Sequence, residues 1–237
     1  MKQKSDTLCW CFGILCALTL MGTEASAEET EESAIPGWFR ADIDALGTQL
    51  WFGASHELGG LTIASDIYTV GSIGEFDIGP SFTLIGQENN NLSVIPMIGL
   101  EFDFGTMNMT ALVPQFYTFW AAGSLYFESW LLGFFFAPFD DDPLDSTDIL
   151  YTRNFLRYGL SDVVAVGPQI ELTINLEDEA AGGVALDSLA SLIVGGNISL
   201  AYGEHNALEL FLGYQTKEEL REGNDGIAGR FTFIRHW

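Results

Sequence analysis

Carboxylates recur at every second residue in several stretches of this chain. Glu75 and Asp77 stand two apart, as do Glu101 and Asp103. Asp66, Glu128, Glu171 and Glu209 occupy similar alternating positions, and Gln169 shares the parity of Glu171. On an extended strand a spacing of two puts side chains on one face, and a face of repeated carboxylates attracts cations. Arg153, Arg157 and Arg230 are the bases expected on that same face. Two outcomes compete: an acidic passage that favours cations, or a filled interior in which the arginines pair with the acids. The three histidines, His56, His205 and His236, fall in or beside turns, where solvated imidazoles are the ordinary outcome, and no metal site is expected. The acidic run FDDDPLDSTD at 139–148 clusters oxygens but lacks the spacing of a calcium loop, and reads as a solvated loop. No cofactor and no catalytic residue is expected.

The elements that position these groups begin after an export segment. Lys2 and Lys4 precede an apolar run from Leu8 to Met21, and Ala25-Ser26-Ala27 has the small residues of a cleavage site. Residues 1–27 are read as a signal peptide and 28–36 as an acidic leader. Cys9, Cys11 and Cys16 all lie in the signal, so the exported chain has no disulfide and no thiolate chemistry. Cleavage removes as many basic as acidic residues and leaves the net charge of -24 unchanged. Such a chain repels nucleic acid. With 48% hydrophobic residues and 18 phenylalanines it is not a disordered acidic chain. The two kinds of side chain must occupy separate surfaces.

Alternation supplies those surfaces. In EFDIGPSFTL, Phe76, Ile78, Phe82 and Leu84 oppose Glu75, Asp77, Ser81 and Thr83. In VVAVGPQIELTINL, Val164, Val166, Ile170, Leu172 and Ile174 oppose Gly167, Gln169, Glu171, Thr173 and Asn175. In ALELFLGYQ, Leu208, Leu210, Leu212 and Tyr214 oppose Glu209, Gly213 and Gln215, with Phe211 as the exception. A period of two predicts strands. They are expected near 37–46, 48–56, 60–70, 73–85, 91–104, 109–122, 124–138, 148–160, 162–177, 186–203, 206–217 and 226–237. The apolar stretch 116–139 has the hydropathy of a membrane helix, but Gly123-Ser124 and Pro138 favour a hairpin. Pro80, Pro96, Pro114 and Pro168 fall inside strands, where bulges or sheet rims are expected.

The polar parity is rich in Gly, Ser, Thr, Asn and Gln. Lys217 is the only lysine after Ala27, unlike the mixed Lys/Glu surface of a soluble domain. A barrel with its apolar face in lipid and its polar face inward fits this pattern. Phe231, Phe233 and Trp237 end the chain on an alternating aromatic strand. With the signal segment and the alternation, these residues resemble the bacterial outer-membrane β-barrel proteins, whose terminal aromatic residue is an assembly signal. The resemblance implies an all-β transmembrane antiparallel up-and-down barrel over 37–237. The strand pattern and the alternation of short and long connections give twelve strands, or ten if 37–46 is a plug or leader and one further strand is absent. The resemblance also implies an outer-membrane location, with membrane lipid and the barrel assembly machinery as partners. Short turns belong on the periplasmic side and long loops outside. Trp38, Trp51, Tyr68, Trp120 and Tyr214 suit interface girdles. Small monomeric pores for acidic sugars are similar in size but rely on basic lumens. The acids here favour a narrow channel for small hydrophilic solutes with cation preference; the alternative is a packed structural or surface-interaction barrel.

Overall fold

The computed structural model describes residues 35–136, 139, 147–180, 184–218 and 226–237. The signal segment, nearly all of the leader and most of the acidic run 139–148 lie outside the described residues. The strands are β1 (Gly37–Asp44), β2 (Gly47–Leu58), β3 (Leu61–Val70), β4 (Ile73–Gln87), β5 (Asn90–Asp103), β6 (Asn108–Ala122) and β7 (Leu125–Phe134). They continue with β8 (Ile149–Gly159), β9 (Val164–Asn175), β12 (Leu189–Tyr202), β13 (Asn206–Glu218) and β14 (Gly226–His236). Between β9 and β12 lies a two-rung hairpin, β10 (Glu179–Ala180) with β11 (Val184–Ala185).

The twelve longer strands close into one antiparallel barrel, each paired with its chain neighbour and β14 returning to β1. Twelve strands are therefore present, not ten. Residues 37–44 are a wall strand and not a plug. The tight connection after them works because the Asp44 carboxylate accepts a 2.7 Å hydrogen bond from the Leu46 amide. Gly47 then takes a φ of +106°, which only glycine adopts without strain. The apolar stretch around Gly123 is a hairpin between β6 and β7, with Gly123 at φ +58°. At the closing seam Gly37 and Trp237 exchange backbone hydrogen bonds of 3.1 and 3.0 Å.

The alternation decides which way side chains point. In β9, Gln169, Glu171, Thr173 and Asn175 are buried while Ile170 is exposed. In β4, Glu75 and Asp77 are buried while Phe76 and Ile78 are exposed. The barrel is thus inverted relative to a soluble domain, with polar groups inside and apolar rows outside. Phe211, the exception in its strand, follows the inward parity and is buried against Gly195 and Gly213.

Two expectations need correction. The four strand prolines produce neither bulges nor rims. They sit at in-register gaps of the ladder. Pro80 and Pro96 fall opposite each other where β4–β5 pairing stops after Ile78↔Ile98 and resumes at Phe82↔Val94. Pro114 and Pro168 lie at comparable breaks in β6–β7 and β8–β9. A missing N–H removes a rung, but the neighbouring rungs hold the register. The register shifts lie elsewhere, between Thr83 and Ile85, for example. Second, Trp51 and Tyr68 are not girdle residues. They share the inward parity and face each other across β2–β3, ring centroids 4.5 Å apart, within the cavity described below.

Candidate functional site: the barrel lumen

Three of the arginines inside the barrel are held by acids on strands that are not their neighbours in the wall. Arg153 on β8 donates to Asp42 on β1 at 3.2 Å, although those strands are not neighbours in the wall. Arg230 on β14 grips Glu171 on β9 through two nitrogens and also donates to Asp44 at 2.9 Å. Arg157 on β8 meets Glu209 on β13 at 2.6 Å. Arg40 pairs along its own strand with Asp42 at 3.0 Å. Asp42 also accepts from Thr232, and Glu171 from Gln169 and Tyr151. The remaining capacity of Asp42 and Glu171 is thus met nearby, as buried ion pairs require, whereas Arg157 Nε and Nη2 and Glu209 Oε2 have no hydrogen-bond partner among the described residues.

Aromatic rings complete this tier. Trp130 on β7 lies 6.1 Å from Trp51 on β2 and 5.6 Å from Tyr117 on β6. The guanidinium carbons of Arg40 and Arg153 sit 4.8 and 4.7 Å from the Trp130 ring centre, within cation–π range. The Trp130 indole N–H donates to Glu128 at 2.5 Å, and Tyr126 donates to the other Glu128 oxygen at 2.6 Å.

The wall formed by β3, β4 and β5 differs. Asp66 and Asp77 are direct cross-strand partners, and so are Glu75 and Glu101. Like charges placed opposite each other destabilise a sheet. Here neutral donors answer three of the four: the Gln115 amide donates to both Glu75 and Asp77, and Thr110 donates to Glu101 at 2.7 Å. Among the described residues none of these four acids forms an ion pair. The carboxylates fold over Gly99, where a Cβ would stand 2.1 Å from an Asp77 oxygen. Any larger residue would push them off this position.

Between this acidic wall and the arginine tier lies a cavity of about 700 Å3. Glu75, Asp77 and Glu101 line one side, Arg153 and Arg230 another, and Trp51, Tyr68, Tyr117, Trp130 and Tyr151 fill the intervening surface. It extends to Leu46, Ile73, Ile149 and Ile227, beside the connections 45–46, 71–72, 135–148 and 219–225. The histidines lie at the other end, with the turns 59–60 and 203–205 and the C-terminus.

Compared by sequence, no family model and no curated protein matches the chain. Compared by structure, the NanC porin is similar over 85% of this chain and 99% of that one, at 11% identity and a TM-score of 0.53. The chain has the fold of the outer-membrane porins. OccAB2 of Acinetobacter baumannii is similar over 81% of this chain and 55% of that one, at 8% identity and a TM-score of 0.50. The KdgM porin is similar over 86% and 99%, at 13% identity and a TM-score of 0.49.

Within this porin fold the inward groups named from sequence fall into three sets. Asp66, Glu75, Asp77 and Glu101 form the acidic wall. Glu128, Arg153, Arg157, Gln169, Glu171, Glu209 and Arg230 form the bridged tiers. Asp103 belongs to neither: it sits at the rim and accepts from Gly105 and Thr106 in its own turn, at 2.8 and 3.1 Å. Sequence reasoning missed Arg40, Asp42 and Asp44, though FRADID carries them at a spacing of two. It also missed Gln115, and it missed Trp51 and Trp130 because inward aromatic residues are as apolar as the outward rows.

Proposed function

We propose that the chain is a bacterial outer-membrane barrel whose lumen is a narrow channel for small hydrophilic solutes, with cations favoured. The observation that carries this is the division of charge inside the barrel. The arginines are neutralised by Asp42, Asp44, Glu171 and Glu209, while the acids on β3–β5 lack any cationic partner among the described residues and three of them face the cavity. For a passage lined by carboxylates without cationic partners, a mobile cation is the natural counter-charge. The exposed rows of Phe76, Ile78, Ile170 and Leu210 support a lipid setting. The shorter turns and the C-terminus would then face the periplasm. Assembly through the terminal aromatic residues Phe231, Phe233 and Trp237 belongs to the same proposal.

One observation favours a second reading, a packed structural barrel. The Arg153–Asp42 bridge and the Trp51–Trp130 contact both cross the lumen. Planar-bilayer recording of the refolded protein in a KCl gradient decides between them. A reversal potential of the sign set by K+ supports the channel; an absence of single-channel events leaves the packed barrel.

A further inference from the structure

The geometry points to the lumen cavity as a binding vestibule for organic cations, small molecules with an ammonium group. This rests on the channel proposal in one respect, that solutes reach the lumen.

Two features of the cavity converge on that class. The first is charge. Glu75, Asp77 and Glu101 line it, and the donors that reach them, Gln115 and Thr110, are neutral. The second is surface. Aromatic rings share the cavity with the carboxylates, and the protein's own cations demonstrate how that surface is used. The Arg40 guanidinium lies 4.8 Å from the Trp130 ring centre and 5.8 Å from that of Trp51. Charged nitrogen seated on rings beside carboxylates is the mode by which proteins hold ammonium ligands.

The same features argue against a metal ion. Among the described residues no three acids or histidines converge closely enough to hold one. The acids are spread over adjacent strands, which suits a diffuse organic charge. The volume of about 700 Å3 falls within the range of small-molecule sites.

Choline and its neutral isostere 3,3-dimethyl-1-butanol make the direct test, since they share shape and hydroxyl and differ in charge. Binding is measured in detergent micelles by the fluorescence of the full-length protein at constant ionic strength. Choline is expected to bind at least about tenfold more tightly than the alcohol. Glu75→Gln with Asp77→Asn should weaken choline by a similar factor, and Asp103→Asn at the rim should not. Glu101→Gln alone is the fallback if the double variant fails to fold. Equal binding of choline and the alcohol overturns the proposal, and so does an Asp103→Asn loss as large as that of the wall variants. A barrel that binds choline without conducting refutes the channel and leaves the site standing. A barrel that conducts without discriminating choline does the reverse.

Discussion

Two isoleucines at nearly the same depth face opposite ways, and the same substitution at each isolates the direction of the wall. Ile170 points outward and is 41% exposed. Ile193 lines the cavity. Their cross-strand partners are adjacent: Val194 opposite Ile170, Glu171 opposite Ile193. Ile170 lies six residues from the start of β9 at Val164 and five from its end at Asn175. Six residues span about 20 Å along a strand. With a tilt of about 40° this is roughly 15 Å along the barrel axis, near the middle of an apolar band about 25 Å tall. Arginine there should cost about 2–4 kcal/mol, a drop of about 30- to 700-fold in the folding equilibrium. Ile193→Arg puts the same charge into an aqueous lumen beside Glu171 and should stay within about 1 kcal/mol of the parent. Guanidinium unfolding of each variant in phospholipid vesicles, followed by tryptophan fluorescence, gives both numbers. Equal costs, or a larger cost at Ile193, would refute the assignment of faces.

Other consequences follow from the lumen. Asp42→Asn leaves Arg40 and Arg153 without their shared acid and should destabilise the barrel by about 3–5 kcal/mol in the same assay; Arg153→Met added to it should recover part of the loss. Trp130→Ala removes the ring that meets Trp51 across the lumen. It should raise single-channel conductance while lowering stability by about 3–5 kcal/mol. Cation preference, read from reversal potentials, should shrink as salt rises from about 0.1 to 1 M, because the screening length falls from about 10 to 3 Å. Glu75→Gln with Asp77→Asn should shrink it already at the lower salt.

Much of the site could be located before any coordinates because a strand's two faces are encoded locally. Glu75 and Asp77 point together since they are two apart, whatever they pack against. The aromatic residues were harder. Trp51 and Trp130 are as apolar as their outward neighbours, so hydropathy does not mark them as inward, whereas Phe211 shares the inward parity of Glu209 and Gln215. Asp103 misled for a related reason: its parity is right, but the strand ends there and its carboxylate turns back to Gly105 and Thr106. The prolines misled because a lost rung was equated with a lost register.

The sequence by itself determined the strands, the antiparallel order and the face of most side chains, because period-two patterning and turn residues act over a few positions. Only the tertiary structure decided which inward groups meet. Asp42 and Arg153 stand 111 residues apart, and their bridge depends on how many strands close the wall and how they are staggered. That closure pairs the arginines with one set of acids and leaves the β3–β5 carboxylates facing the cavity. No local pattern specifies such a partition, since it arises from distances across the lumen.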